Sequence, residues 1–117
     1  MRFYEYEAKA LFRKHRLPLG AGEVVNSADE ARAAFGRLAG PAVLKSQVLS
    51  GGRMKAGAVK FADSADEAAA HFDAILPIVV KGESARSILI EEKSPVAQEY
   101  FVAITWDGRA KQPVLVF

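Results

Sequence analysis

The spacing of apolar residues near the N-terminus predicts an amphipathic helix. These positions recur every three or four residues at Tyr4, Ala8, Leu11, Phe12 and His15. Because an α-helix completes one turn in about 3.6 residues, this spacing places them on one face. The Leu-Pro-Leu-Gly segment at 17–20 is expected to end the helix, since proline removes a backbone donor. A short strand is predicted over 23–25.

Two later segments carry nearly the same helix-start sequence. Residues 26–35 read Asn-Ser-Ala-Asp-Glu-Ala-Arg-Ala-Ala-Phe, and residues 63–72 read Asp-Ser-Ala-Asp-Glu-Ala-Ala-Ala-His-Phe. Each contains Ser-x-x-Glu, a capping box that satisfies free N–H groups at a helix start. The helices are predicted to run to about Leu38 and to about Leu76. We interpret the likeness as reuse of a favourable helix start, with an internal duplication as the alternative.

Short apolar runs between these helices predict the strands, which lie at 42–49, 58–62, 87–91, 98–106 and 112–117. The segment 77–86 shows no periodicity and is expected to be irregular. Asp107-Gly108-Arg109 is typical of a hairpin turn. The pattern therefore predicts an α+β fold with two strand–helix–strand units, a small mixed sheet and a C-terminal hairpin.

The chain ends on the apolar residues 114–117, which are unfavourable to leave in water and invite edge pairing. We therefore expect the sequence to be a piece of a longer protein. The alternative is a terminal strand that lies within the sheet.

Composition narrows the class of protein. The 117 residues fit one domain, and half of them are hydrophobic, which is enough for a core. No apolar run approaches the roughly 20 residues of a membrane span, and no signal peptide is visible at the N-terminus. The lack of cysteine fits a reducing cytoplasm. Net charge is only +2, and the basic residues form no stripe with aromatics, so neither a membrane nor a nucleic acid is an expected partner.

The most informative stretch is a Gly-rich loop at 51–57 between two of the predicted strands. Lys45, Arg53, Lys55 and Lys60 lie in or beside it. Glycine backbone can present N–H groups to an anion that the cations neutralise, which predicts a polyphosphate ligand. The loop matches neither the Walker motif nor the dinucleotide fingerprint, and it joins two strands. A hairpin lid over phosphates is therefore expected, and a mobile surface turn is the alternative.

Several sequence blocks at their spacing resemble a known family. They are Arg-Phe-Tyr-Glu-Tyr-Glu-Ala-Lys-Ala-Leu-Phe (2–12), Leu-Pro (17–18), Val-Leu-Lys-Ser-Gln-Val (43–48), Gly-Gly-Arg-Met-Lys-Ala-Gly-Ala-Val-Lys (51–60) and Ile-Leu-Ile-Glu-Glu (88–92). Together they resemble the start of the β subunit of ADP-forming succinyl-CoA synthetase. Citryl-CoA and malate–CoA ligases share this N-terminal pattern. The resemblance covers essentially the whole chain.

The resemblance implies an ATP-grasp domain, which holds a nucleotide between two α+β lobes. Residues 1–117 would form its N-terminal part, with 21–95 as the first lobe and 1–20 and 96–117 as the start of the second. In this family, ATP phosphorylates a histidine on a partner α subunit. The phosphate passes to a carboxylic acid, and coenzyme A then displaces it, a reaction of the tricarboxylic acid cycle for succinate. The implied cofactors are ATP or ADP and Mg²⁺, whose ligands would lie outside this chain.

The resemblance also implies a set of nucleotide-binding residues, here called the nucleotide set: Lys45, Gly52, Arg53, Met54, Glu91, Ser94 and Glu99. Lys45 would meet the phosphates from a strand, and Gly52 and Arg53 belong to the phosphate loop. The alternative for Lys45 is a strand-end lysine that keeps its charge in water. No catalytic residue and no metal ligand is assigned.

The remaining members of the nucleotide set would serve the nucleoside. Glu91 would border the adenine, and Ser94 lies in the adjoining hinge. Glu99 would bind the ribose, where a carboxylate can accept from both hydroxyls. The alternative for Glu91 and Glu99 is ordinary solvated surface charge.

Two positions depart from the family pattern. Met54 replaces a glycine of Gly-Arg-Gly-Lys-Ala-Gly, and methionine would be strained if this position needed a positive φ. Replacing Met54 by glycine is therefore expected to tighten nucleotide binding. Pro95 deletes one backbone donor in the hinge.

Two functions from different classes remain open. The first is the nucleotide-binding part of an acid–CoA ligase, for succinate or for another acid such as citrate or malate. The second is a non-catalytic binding or assembly module with the same fold. His15 and His71 are expected to lie on helices and not to be the phosphorylated histidine. Phe101 and Trp106 are expected to pack in a core or an interface.

Overall fold

The computed structural model describes all residues, 1–117. Three helices and eight strands follow one another along the chain: α1 (Glu5–Lys14), β1 (Gly22–Val25), α2 (Ala28–Phe35), β2 (Ala42–Ser46), β3 (Val59–Ala62), α3 (Ala65–Ile75), β4 (Val79–Val80), β5 (Glu83–Ser84), β6 (Ile88–Glu92), β7 (Ala103–Asp107) and β8 (Gln112–Val116). The predicted α+β class is confirmed.

The main sheet has four strands in the order β1-β6-β2-β3. Its two strand–helix–strand units interlock: β6 lies between β1 and β2, and β2 lies between β6 and β3. The strands of each unit, β1 with β2 and β3 with β6, run parallel, but a strand of the other unit lies between them. Every pair of hydrogen-bonded neighbours is therefore antiparallel. The expectation of a mixed sheet was wrong in this respect.

One face of the sheet is covered by α2 and α3, which pack against each other and against the strands. Alternate strand residues point into this core, among them Leu44, Ile88 and Ile90, while Phe72 and Ile75 reach it from α3. Such alternation follows from the two-residue period of a strand.

The two capping boxes set the starts of these helices. Ser27 Oγ accepts from the Glu30 amide at 3.1 Å, and Ser64 Oγ accepts from the Glu67 amide at 3.2 Å. Both predicted starts are therefore confirmed. The predicted end of α2 is not, because the helix stops at Phe35 and continues only as turns toward Leu38.

The opposite face of the sheet carries the alternate strand residues. Val43 pairs directly with Glu91, and Lys45 pairs with Leu89, so all four project to this side. Helix α1 lies against this face without burying any of its own residues. The sheet thus has an apolar core on one face and charged side chains on the other.

The segment predicted to be irregular contains a tight hairpin between β4 and β5. Val79 pairs with Ser84, and Val80 pairs with Glu83. The turn consists of Lys81 and Gly82, both with positive φ, at 50° and 84°. Two-residue strands give no visible periodicity, which explains why the sequence pattern missed them.

The C-terminal hairpin, β7–β8, forms a separate two-stranded sheet. Its loop runs over 108–111, one residue shorter than the gap between the two predicted strands because β7 includes Asp107, and Lys111 has a left-handed φ of 52°. β8 pairs only with β7, so the alternative of a terminal strand within the main sheet is wrong. Phe101 and Trp106 are exposed, so neither packs in a core, and their expected place in an interface stays a prediction.

Candidate functional site

The charged face of the sheet forms one wall of an open cavity of about 790 Å³. Every member of the nucleotide set lines it: Lys45, Gly52, Arg53, Met54, Glu91, Ser94 and Glu99. Its apolar wall includes Val43, Val59 and Phe61. The volume lies within the range of small-molecule sites, about 300–1,000 Å³. The structure therefore brings together residues that are up to 54 positions apart, from Lys45 to Glu99.

The sheet register brings Lys45 and Glu91 together. Glu91 lies opposite Val43 on β2, so Lys45 is its diagonal neighbour on the same face. The Lys45 ammonium donates to a Glu91 carboxylate oxygen. On the other side, Glu91 lies opposite Gly22 of β1. Because Gly22 has no side chain, β1 leaves room for the Glu91 side chain beside it on this face.

Helix α1 adds two charged residues that the nucleotide set did not include. Glu5 Oε1 lies 3.0 Å from Lys45 Nζ and 3.4 Å from Lys9 Nζ. The other Glu5 oxygen accepts from the Arg53 guanidinium, and Lys9 also pairs with Glu91. The result is a charge network of Glu5, Lys9, Lys45, Arg53 and Glu91, named here the α1–sheet network.

The network shifts the ionisation of two of its members. Burial by itself would raise the pKa of Glu5, but the hydrogen bond from Arg53 and the charge of Lys45 outweigh it and lower that pKa to about 2. Burial would likewise lower the pKa of Lys45, but its hydrogen bond to Glu91 and the charge of Glu5 raise it. Both groups therefore remain charged near neutral pH.

The Gly-rich loop is a hydrogen-bonded turn. Gly52 has a φ of 95° and Gly57 has a φ of 76°, and both are in the left-handed region that favours glycine. Within the loop, Ala56 N–H donates to Gly52 O at 3.1 Å, and Ala58 N–H donates to Arg53 O at 2.9 Å. The loop thus forms a turn with two internal hydrogen bonds and a left-handed glycine near each end.

Met54 does not occupy a left-handed position. Residues other than glycine with positive φ are Arg16, Lys81 and Lys111 only. The expected strain at Met54 was therefore wrong: the turn places its left-handed residues before and after Met54. The side chain of Met54 is exposed and lines the mouth of the cavity.

The start of the loop leaves backbone donors free. The amides of Gly51, Gly52, Arg53, Met54 and Lys55 donate to no group of the chain, whereas those of Ala56, Gly57 and Ala58 do. Successive free N–H groups in such a turn form a concavity suited to an anion. The Arg53 side chain lies across this turn and donates to Ser46 O at 3.0 Å.

The β4–β5 hairpin is hydrogen-bonded to the two residues just before the Gly-rich loop. Glu83 accepts from the Leu49 amide at 2.8 Å and from the Ser50 hydroxyl. The hydrogen bond from Ser50 has the larger effect and the one from Leu49 the next, and both lower the pKa of Glu83. Lys81 lies beside Gly52, with its Cε 3.6 Å from where a Cβ of residue 52 would be.

Two of the four cations predicted to neutralise an anion at the loop, Lys55 and Lys60, do not line the cavity. Lys60 pairs with Leu44 and therefore projects from the helix-covered side of the sheet. Lys55 is exposed and is not part of the cavity wall. At the opposite rim, Lys93 Nζ lies 5.0 Å from the centre of the Phe61 ring, and Ser94 and Glu99 are exposed beside it.

The carboxylates of the cavity do not form a metal site. The chain has no group of three or more His, Cys, Asp or Glu side chains that could hold a metal ion. Of the carboxylates that line the cavity, Glu5 is paired with three cationic side chains and Glu91 with two. These residues therefore do not fit a Mg²⁺ ion, and no Mg²⁺ ligand is assigned within them.

Glu5 and Lys9 were missed because their partners are remote in sequence. The pair is spaced i, i+4 in the Glu-Tyr-Glu-Ala-Lys segment, a helical ion-pair spacing that could have marked one charged helix face. Nothing in that spacing indicates that the face meets Lys45 and Glu91.

The comparison with protein families agrees with this geometry. A family model described as "ATP-grasp domain" matches residues 2–117. The chain therefore belongs to the ATP-grasp domain family, which is found in succinyl-CoA synthetase β subunits. Domains of this family bind ATP or ADP, typically with Mg²⁺, and its members are ligases. None of the three helices is long and apolar enough to cross a membrane.

Proposed function

We propose that this chain is the nucleotide-binding part of an acid–thiol ligase β subunit similar to succinyl-CoA synthetase. It would couple ATP or ADP to acyl-CoA formation through a phosphohistidine on a partner α subunit, in the cytoplasm. The observation that carries the proposal is the meeting of Lys45, Arg53 and the free amides of the Gly-rich loop at one cavity wall. Cations and unpaired N–H groups together are what a polyphosphate requires.

The other residues of the cavity suit the base and the ribose of a nucleoside. Val43 and Phe61 are paired across β2 and β3 and give an apolar surface on which a base can pack. Glu99 at the exposed rim can accept hydrogen bonds from ribose hydroxyls. Glu91 is already bound by Lys9 and Lys45, so we assign it the role of holding the Lys45 ammonium in place.

The chain's own residues would bind and orient the nucleotide. Lys45 and Arg53 would neutralise phosphate oxygens, and the loop amides would fix their position. When bound, Mg²⁺ would supply further neutralisation of the phosphates from ligands outside these residues. Coenzyme A and the acid would bind to parts of the ligase other than this cavity.

Calorimetric titration of the full chain with ATP and Mg²⁺ tests the nucleotide site. Lys45→Ala or Arg53→Ala should each weaken binding by about 1.5–3 kcal/mol, the worth of a hydrogen bond to a charged group. Lys60→Ala is the matched control, because Lys60 lies on the other side of the sheet. Equal affinity of wild type and both cavity variants would reject the site.

Phosphate transfer separates a ligase from a binding module. Incubation of the full chain and its partner subunit with γ-labelled ATP should give an acid-labile label on the partner, as expected for phosphohistidine. Tight ATP binding without any transferred label would favour the non-catalytic module.

A further inference from the structure

One carboxylate occupies the space between the two cations assigned to phosphate. We propose that Glu5 is an internal anion that holds the phosphate position between Lys45 and Arg53 in the free protein, and that a nucleotide phosphate displaces it on binding. The inference rests on the proposed function, because it requires phosphate to bind at these two side chains.

The contacts of Glu5 are those that a phosphate would make. One carboxylate oxygen accepts from Lys45 Nζ at 3.0 Å, and the other accepts from an Arg53 guanidinium nitrogen at 2.5 Å. Two oxygens of one anion thus bind two different cations, as two phosphate oxygens can. A phosphate cannot take both positions while the Glu5 carboxylate stays there.

Each cation keeps a second partner that does not depend on α1. Lys45 is bound by Glu91 of the neighbouring strand, and Arg53 donates to the Ser46 carbonyl at 3.0 Å. These bonds would keep both side chains oriented after Glu5 leaves. Glu5 is therefore the exchangeable member of the network.

The Glu5 side chain can leave its position without unpacking a buried core residue of α1. None of the helix residues is buried, and Leu11 and Phe12 on its apolar face are 41% and 48% exposed. Outside the charge network, the Tyr6 amide of α1 donates to the side chain of Gln47, just after β2, at 3.3 Å. Movement of the Glu5 side chain alone therefore uncovers no buried residue of α1.

Charge balance favours the exchange. The α1–sheet network contains three cations and two carboxylates, which leaves one net positive charge. Without Glu5 the network carries two net positive charges, a better match for a polyphosphate. With Glu5 in place, the incoming phosphate would meet a carboxylate beside both of its cations, and like charges repel.

The sharpest test is Glu5→Gln in the full chain, which keeps the shape and removes the charge. Calorimetry with ATP and Mg²⁺ should show binding about tenfold tighter than wild type, equivalent to ~1.4 kcal/mol. Adenosine, which has no phosphate, should bind both proteins equally. Asp73→Asn is the matched control, because it makes the same charge change at an exposed residue of α3 that does not line the cavity. It should leave ATP affinity unchanged.

Equal or weaker ATP binding by Glu5→Gln would overturn the inference, because Glu5 would then support the cations instead of competing with phosphate. If Lys45→Ala weakens ATP binding in the same experiments, the proposed function survives that result. If wild type does not bind ATP at all, both the proposed function and the inference fail.

Hydrogen exchange on the wild-type protein gives a test that needs no variant. Saturating ATP should speed exchange of the α1 amides, since the helix loses its Glu5 anchor. It should slow exchange of the amides of Gly51 to Met54, which line the cavity and would then be bonded to phosphate. Stronger protection of α1 on addition of ATP would contradict displacement.

Discussion

Gly22 and Glu91 lie directly opposite each other in the sheet, and the strand spacing leaves no room for a side chain at residue 22. A Cβ there would lie 2.6 Å from Glu91 Cβ and 2.9 Å from the Ile90 carbonyl oxygen. The position of Glu91, and through it that of Lys45, thus depends on a glycine outside the nucleotide set.

We expect Gly22→Ala to destabilise the protein by about 1–3 kcal/mol, the usual range for overpacking. Chemical denaturation measures this loss. Gly20→Ala is the matched control, because nothing lies within 4 Å of a Cβ at residue 20. Equal stability of the two variants would mean that β1 and β6 are further apart than described.

The Glu5 carboxyl should make stability depend on acid pH. Its pKa is about 2 when folded and near 4.5 when unfolded, so the unfolded chain binds the proton more readily. Its stabilising contribution is therefore complete above about pH 4.5 and is lost as the pH falls toward 2. Denaturation of wild type and Glu5→Gln at several pH values should show a steeper loss for wild type in this window. Parallel curves would contradict the network.

The two left-handed glycines of the loop should not be replaceable. Gly57→Ala should cost about 1–2 kcal/mol, since an L-residue with a side chain is strained at its φ of 76°. Gly51→Ala serves as the control, because residue 51 has neither a positive φ nor a close neighbour. Thermal unfolding of both variants measures the difference, and identical midpoints would show that the turn is not fixed.

Met54→Gly should not tighten nucleotide binding, contrary to what the family pattern suggested. Methionine at this position has no positive φ to relieve, and glycine would only make the turn more flexible. Calorimetry with ATP and Mg²⁺ should therefore give equal or slightly weaker binding for the variant. Clearly tighter binding would mean that the loop changes conformation when the nucleotide enters.

The parts of the fold that were predictable depend on local chemistry. Ser27 and Ser64 start α2 and α3 through bonds within one turn, so their sequence is sufficient evidence. The resemblance to the ligase family assigned Lys45 and Glu91 to one site, and the register of β2 and β6 explains their contact.

The parts that were missed depend on contacts between remote segments. Glu5 reaches Lys45 only because α1 lies against the charged face, a placement that the spacing of α1 residues cannot reveal. Lys81 has a left-handed φ that a sequence pattern does not predict for lysine. Phe101 and Trp106 were expected in a core or an interface, and their exposure excludes only the core.

Phosphate should bind at the Gly-rich loop, between Lys45 and Arg53. Amide NMR spectra of the ¹⁵N-labelled full chain, recorded during titration with ATP and then with adenosine, test this prediction most directly. We predict that ATP shifts the amide signals of Gly51 to Met54 most strongly and that adenosine leaves them nearly unchanged. Saturable ATP binding that leaves these four signals in place would contradict a phosphate site at the loop.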